Sequence, residues 1–392
     1  LISITFCFSK DNNFHSSLND FGFSLFQEIH SKTKTNVLIS PLSISCALMM
    51  VSYGSVGSTL DNILSTLNLS SHNLPYYHNN IHRYIKRANK DDFIIGNSIW
   101  IQSDGCYSPN KDYVSFIDSV FNGQISYVNF YKDRLLIIDQ INNWVNKKTY
   151  GLIDEIVSEE HIKPNTKQAL LNTVYFKSNW QSPFDSSKTK VEVFFKDKRN
   201  KIDLPMMNRQ ARYFHYKNKN FHLLDIPYSK EDISMLIILP NQNESLDNII
   251  PLLNHNILEE SINQFKFELG NIWIPKFKID FSSSLKDYLK LMGMNIPFNP
   301  RLASFDKFWN YENECKKNPP RHYIDVINHK THINLDESGT EAASATAIVI
   351  NRVTSINPNL KPFLFKADKP FLYLIYDKKD KNILFLGKYV GE

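Results

Sequence analysis

The order of helical and strand-like segments is the feature that most constrains the fold of this chain. In the first part, apolar side chains recur at helical spacing within Phe21–His30, Ser58–Leu67 and Ile137–Val145. From Ala169 onward the pattern changes to short apolar segments that are typical of strands. Helices followed by strands, with few strand–helix–strand alternations, predict an α+β fold rather than a doubly wound parallel sheet.

Individual elements follow from the same patterns. Ile44–Tyr53 is apolar nearly all round, which predicts a buried helix, and Ser43 is the residue we expect to cap it. The other predicted helices are Ile81–Lys90, Tyr113–Phe121 and Ser284–Met292. The predicted strands are Phe93–Gln102, Ala169–Phe176, Phe221–Pro227, Ile233–Leu239, Asn271–Asp280, Tyr323–Leu335, Leu364–Ala367, Phe371–Tyr376 and Ile383–Val390.

The composition excludes several classes of protein. Apolar residues make up 42% and charged residues 22% of the 392 residues, which is ordinary for a globular protein. A net charge of +5 from 45 basic and 40 acidic residues is too small to indicate a nucleic-acid binder. The sequence contains no apolar run of the length needed to cross a bilayer.

Signatures of catalysis and metal binding are missing from the sequence. It contains no GxSxG, HExxH or Walker motif, and Gly54–Thr59 lacks the lysine of a phosphate loop. His329 and His332 are three residues apart on a predicted strand, so they face opposite sides. We therefore expect neither an enzyme nor a metal site.

The segment from Ser338 to Ala347 is unusually rich in small residues. With a period of two, one face carries Thr340, Ala342, Ser344 and Thr346, and Gly339 permits a change of chain direction. Such a strand could slide between two existing strands. From the pattern alone, a flexible loop or the start of an Ala-rich helix explains the segment better.

Resemblance to a known family changes this interpretation. Glu337–Thr346 resembles the proximal hinge of the reactive-centre loop of the serpins, which are serine protease inhibitors, and Phe365–Phe371 resembles the family signature that follows the loop. Further motifs resemble the family in the right order along the chain: Asn36…Ser40-Pro-Leu-Ser43, Ile141–Val145, Leu171–Lys177, Trp180…Pro183-Phe184, Pro205–Met207 and Leu386–Lys388.

The resemblance implies a fold and a mechanism. The serpin fold is a single domain, here 1–392, with three β-sheets, about nine helices and an exposed reactive-centre loop, here within 337–362. A serine protease cleaves the loop and becomes trapped as a covalent acyl-enzyme, while the cleaved loop inserts as a new strand of sheet A. The chain would then be a monomeric inhibitor without a cofactor. A non-inhibitory carrier, storage protein or chaperone is the alternative.

The resemblance also assigns residues. The hinge comprises Glu337, Gly339, Thr340, Glu341, Ala342, Ala343, Ser344, Ala345 and Thr346. Ser40, Ser43, Asn172 and His329 match the polar cluster, called the shutter, under the opening of sheet A, and Trp180 matches the breach at its top. Thr340 is expected to be the first side chain buried on insertion. An uncharged residue there favours inhibition, since burial of an unpaired charge is very unfavourable.

The bond that is cut depends on the register of the loop. Counting from Glu337 predicts cleavage between Val353 and Thr354, which suits an elastase-like protease. Cleavage between Arg352 and Val353, one residue earlier, would suit a trypsin-like protease. The bond between Thr354 and Ser355 is a third candidate. The segment after the cleavage site is longer than is usual in the family, which leaves the register open.

Three surface features bear on partners and compartment. Arg83, Lys86, Arg87 and Lys90 form a basic helix face at the position where some serpins bind glycosaminoglycans, although such a face is usually only solvated. Asn68 and Asn243 start N-glycosylation sequons, and Leu1–Phe8 is either the end of a signal peptide or an ordinary strand within an N-terminal tail, 1–20. We expect an extracellular protein, with a cytoplasmic one as the alternative.

Overall fold

The computed structural model describes residues 14–88, 93–103, 107–230, 232–311, 321–340 and 361–391. The helices within these ranges are α1 (Phe14–Lys32), α2 (Pro41–Gly54), α3 (Gly57–Thr66), α4 (Leu74–Ala88), α5 (Lys111–Phe121), α6 (Phe130–Lys148), α7 (Leu246–Ile249), α8 (His255–Asn263) and α9 (Lys286–Leu291). The strands are β1 (Val37–Ile39), β2 (Phe93–Gln102), β3 (Tyr107–Pro109), β4 (Gln124–Val128), β5 (Gln168–Phe176), β6 (Ser178–Asn179), β7 (Lys190–Phe195), β8 (Lys201–Lys217), β9 (Phe221–Pro227), β10 (Ile233–Pro240), β11 (Lys266–Pro275), β12 (Phe277–Ser284), β13 (Trp309–Tyr311), β14 (Val326–Leu335), β15 (Gly339–Thr340), β16 (Phe363–Lys366), β17 (Phe371–Asp377) and β18 (Asn382–Tyr389).

The strands form three sheets. A nine-stranded sheet has the order β1-β18-β17-β10-β9-β8-β11-β16, with β7 paired to β8. A seven-stranded sheet, called sheet A below, has the order β4-β2-β5-β14-β15-β6, with β12 paired to β14. The third sheet is the pair β3 and β13. Nine helices and three sheets in the described residues confirm the predicted α+β class.

The largest apolar cluster joins the helices to both large sheets. It includes Phe26 of α1, Met49 of α2, Val174 of β5 and Leu374 of β17, all at most 1% exposed. A second cluster lies on the other face of sheet A, where Ile141 and Trp144 of α6 cover Leu171 of β5. Because sheet A is covered on both faces, a strand that enters it must pass between α6 and the main core.

Sheet A opens at one end. β5 and β14 run parallel and pair from Ala169–Val326 to Val174–Thr331, after which they separate. The gap is occupied by β15, because Thr340 pairs with Leu335 of β14 on one side and with Ser178 of β6 on the other. β15 is thus a two-residue strand inside the sheet.

Two details of the predicted elements are wrong. The N-cap of α2 is Ser40 rather than Ser43, because Pro41 has a fixed φ and no N–H, which suits the first helical position. The oxygen of the Ser40 hydroxyl accepts the N–H of Ser43, which lies inside the helix. The predicted strand Asn271–Asp280 is two strands, β11 and β12, which belong to different sheets.

Candidate functional site

The turn that precedes β15 is held by hydrogen bonds from two aromatic residues. The N–H of Trp180 donates to the carbonyl of Ser338 at 2.9 Å, and the indole Nε1 of Trp180 donates to the carbonyl of Asp336 at 2.9 Å. The N–H of Phe184 donates to the carbonyl of Glu337 at 2.8 Å. Trp180 therefore lies at the open end of sheet A and fixes the backbone of the turn.

The Glu337 carboxylate is anchored by two side chains from neighbouring elements. Lys276, between β11 and β12, places its Nζ 2.8 Å from Oε2 of Glu337, and the hydroxyl of Thr189 donates to Oε1 at 2.7 Å. Burial raises the pKa of Glu337, but the hydrogen bonds from Lys276 and Thr189 outweigh it, so the net pKa lies below its usual value. The charged form is thus the one that holds the turn.

Gly339 is required by the backbone at this point. Its φ is +154°, and a Cβ there would lie 2.2 Å from the carbonyl oxygen of Ser178. Only glycine lets the chain pass so close to β6.

Thr340 is fully buried before any cleavage of the loop. Its hydroxyl lies 2.7 Å from the phenol oxygen of Tyr228, which is also fully buried. Tyr228 stacks on Trp180, with ring centroids 4.5 Å apart and an interplanar angle of 11°. The sequence predicted that Thr340 is the first residue to become buried, and the structure places it inside the sheet already.

The four predicted shutter residues are in contact. The amide of Asn172 donates to the hydroxyl of Ser43, and Nδ1 of His329 is bonded to the amide oxygen of Asn172. The N–H of Ser40 donates to Nε2 of His329 at 3.1 Å, while the Ser40 hydroxyl donates to the carbonyl of Leu384 at 2.6 Å. A polar chain therefore runs from α2 through β5 to β14 beneath the place where the two strands would part.

The protonation state of His329 follows from these partners. Nε2 accepts from the backbone of Ser40, so it carries no proton, and Nδ1 then carries the proton that it donates to Asn172. Burial lowers the pKa of His329 to about 3. The shutter is thus built around a neutral imidazole.

Two residues of this region were not predicted. Asn97 of β2 accepts the amide of Asn172 and extends the shutter to a third strand of sheet A. Thr331 of β14 donates to the carbonyl of Leu38 at 2.8 Å. Neither belongs to a motif in the sequence, so only their burial next to the shutter identifies them.

Several predicted residues lie outside the described residues. These are the distal hinge from Glu341 to Thr346, the cleavage-site candidates Arg352, Val353 and Thr354, and Lys90. The chain is described again from residue 361, and Phe363–Lys366 forms β16 beside β11. The predicted cleavage site therefore lies on the segment between two anchored strands, β15 and β16.

The basic face of α4 is partly neutralised. Arg87 lies 2.7 Å from Asp380, 2.9 Å from Asp232 and 3.1 Å from Asp377. The Arg83 guanidinium is 3.8 Å from the carboxylate of Asp380. Among the described residues of this face, Lys86 is the one whose side chain has no described acidic partner within 4.0 Å. These contacts make Arg87 a structural residue that joins α4 to two turns, and glycosaminoglycan binding stays a prediction.

Both sequon asparagines are on the surface, Asn68 after α3 and Asn243 before α7. Within the described ranges, no group of His, Cys, Asp and Glu side chains could hold a metal ion. No helix in those ranges is long and apolar enough to span a membrane. Cys46 is buried and unpaired, and burial raises the pKa of its thiol well above the usual value.

Comparisons with known proteins identify the family and the fold of the chain. The family model described as Serpin (serine protease inhibitor) matches residues 16–391. An uncharacterized serpin-like protein of Thermococcus kodakarensis is 31% identical over 382 residues, which cover 96% of this chain and 85% of that protein.

Solved structures share the same architecture. The native state of the thermophilic serpin tengpin matches with a TM-score of 0.85 and 28% identity, over 98% of this chain and 95% of that one. Human thyroxine-binding globulin complexed with its hormone matches with a TM-score of 0.84 and 25% identity, over 96% and 98%. The chain belongs to the serpin family.

Proposed function

We propose that this serpin is a monomeric suicide inhibitor of serine endopeptidases. The protease serine attacks the carbonyl carbon of Val353, the bond to Thr354 breaks, and Val353 stays on the enzyme as an ester. The freed strand then enters sheet A between β5 and β14. If Arg352 is the acylated residue instead, the target is trypsin-like rather than elastase-like.

One observation supports this proposal above the others. β15 already lies between β14 and β6, so a strand that continued it would run toward the paired stretch of β5 and β14. For insertion, β15 must lengthen toward Ala169 of β5 and Val326 of β14, and the hydrogen bonds between β5 and β14 must break. The residues that come next in the sequence are small, which suits passage beneath α6.

The decisive experiment mixes the protein with pancreatic elastase or trypsin and separates the products on a denaturing gel. An inhibitor leaves a covalent complex, whereas a carrier or storage serpin is only clipped. Mass spectrometry of the released C-terminal fragment identifies the cleaved bond: a fragment that starts at Thr354 supports Val353, and one that starts at Val353 supports Arg352.

A hinge variant tests the insertion step itself. Thr340→Arg places a guanidinium at a fully buried position, at an expected penalty of several kcal/mol. The variant should be cleaved without trapping the protease. Thr35→Arg, at an exposed position before β1, is the matched control and should trap normally. Equal complex yields from both variants would refute insertion as the source of inhibition.

We further propose that the protein is secreted. The exposed positions of Asn68 and Asn243 support this, because sequons are modified only where the enzymes of the secretory pathway reach them. Loss of mass on treatment with an N-glycosidase is the expected result for protein from its natural source. An unmodified protein would favour the cytoplasmic alternative.

A further inference from the structure

The phenol group of Tyr228 has no role in the motifs of this chain, yet it lies at the mouth of sheet A. Tyr228 follows β9 in the nine-stranded sheet, and its ring packs between Trp180 and Phe176, with centroid distances of 4.5 and 5.2 Å. Its N–H donates to the carbonyl of Ile233 at 3.0 Å. Ring and backbone are therefore held in one place, and the hydroxyl points at the hinge.

We infer that Tyr228 is a positioning residue for insertion: its hydroxyl holds Thr340 between β14 and β6, so that the new strand grows from a nucleus that is already formed. The effect on inhibition rests on the proposed inhibitory function. The position of Thr340 between β14 and β6, called its seating below, can be measured without any protease.

Burial explains why the hydrogen bond between Tyr228 and Thr340, called the latch below, holds the hinge in the sheet. The side chains of Tyr228 and Thr340 have no surface accessible to water. Within the described residues, the hydrogen bond between the two hydroxyls is the side-chain hydrogen bond that each of them makes. If Thr340 left the sheet, the Tyr228 hydroxyl would stay buried without a partner. A buried polar group that loses its partner is strongly disfavoured, so the seated state is preferred.

The backbone around Tyr228 makes the latch rigid. The N–H of Ser229 donates to the carbonyl of Asn179 at 2.8 Å, and that of Gln181 donates to the carbonyl of Pro227 at 3.0 Å. The β9 turn is thus tied to β6, the strand that pairs with Thr340. Tyr228 and the edge that receives the hinge move as one unit.

The consequence is kinetic. A hinge that has left the sheet must first return before the cleaved strand can follow, and during that delay the protease can complete hydrolysis and escape. Loss of the latch should therefore increase the number of serpin molecules cleaved for each protease trapped. A neutral hydrogen bond contributes about 1 kcal/mol, which corresponds to a change of about five-fold.

The test is a double-variant cycle with Tyr228→Phe, Thr340→Val and both together. Each replacement keeps the shape and removes one hydroxyl. Amide hydrogen exchange of the uncleaved protein at Trp180 and Phe184, which donate to the hinge turn, reports the seating of the hinge. The second measurement is the number of serpin molecules consumed for each trypsin or elastase molecule inhibited.

Each single variant should raise both quantities about five-fold, with Tyr228→Phe at least as affected because the Thr340 hydroxyl is then buried without a partner only when the hinge is in the sheet. The double variant should change less than the sum of the two single effects, since removal of both partners leaves no orphaned group. Tyr113→Phe is the control: Tyr113 is buried in α5 and donates to the carbonyl of Met50, far from the hinge in sequence and in another part of the core. It should change neither quantity.

Three outcomes overturn the inference: single variants that behave like Tyr113→Phe, effects that simply add in the double variant, or exchange that rises while the consumption ratio stays constant. Wild-type protein that is clipped without complex formation refutes the proposed function instead. In that case the exchange data still decide whether Tyr228 seats the hinge.

Discussion

Acidification should lower the stability of the folded protein through His329. The imidazole is completely buried, accepts a backbone N–H at Nε2 and has a pKa lowered to about 3 by burial, against 6.5 in its ordinary state. As the pH falls below 6.5, the unfolded chain gains a proton at this residue and the folded protein does not. Since the unfolded state binds more protons, the folded state loses stability from pH 6.5 downward, until the pH approaches 3.

The size of the effect follows from the two pKa values. Between about pH 7.5 and about pH 5, binding of a proton at His329 stabilises the unfolded state by about 2 kcal/mol relative to the folded state. With an entropy of unfolding of about 2.1 cal/mol/K per residue, this difference lowers the melting temperature of a chain of this length by about 2 °C.

The assay compares wild type with His329→Gln by thermal unfolding of the uncleaved protein across this pH range. The amide of glutamine donates and accepts but does not titrate, so the variant should lose about 2 kcal/mol less than the wild type on acidification. Thr331→Val, on the same strand, removes a buried hydrogen bond without a titrating group and should be destabilised by a similar amount at every pH. Identical pH profiles for wild type and His329→Gln would refute the neutral, buried imidazole.

Three further predictions concern the hinge turn and the ion pairs of Arg87. Glu337→Gln removes a half-buried ion pair with Lys276, so it should destabilise the protein by about 1–3 kcal/mol and speed amide exchange in the hinge turn. Lys278→Met removes an exposed ion pair and should change the free energy of unfolding by less than about 1 kcal/mol. Gly339→Ala should displace the hinge and abolish protease trapping, because a Cβ there would collide with the Ser178 carbonyl oxygen. At Gly57 the φ is +55° but the space is open, so Gly57→Ala should lower the free energy of unfolding by only about 1 kcal/mol and leave trapping intact. Arg87→Met should lower the melting temperature, since the three carboxylates around Arg87 lose their shared cation. An unchanged melting temperature together with weaker heparin binding would instead assign Arg87 to a glycosaminoglycan site.

Local patterns predicted much of the fold because the elements are locally consistent. The period of the apolar residues gave β2 and β9 with the boundaries that the structure has. The long strand β8 was not predicted, because its exposed and buried positions alternate irregularly and its sequence carries many polar residues. The cap of α2 was misplaced by three residues, although Pro41 suits the first helical position and therefore favours Ser40 as the cap.

The sequence by itself determined the family, because the family's motifs are runs of adjacent residues whose order survives in one dimension. The tertiary structure alone decided that Thr340 is already seated, that Tyr228 faces it from 112 positions away, and that Asn97 completes the shutter. It also decided that Arg87 is held by three carboxylates from two distant turns. Burial and hydrogen-bond partners arise from contacts between segments that are remote along the chain, and no local pattern encodes which side chain will fill a gap left between two strands.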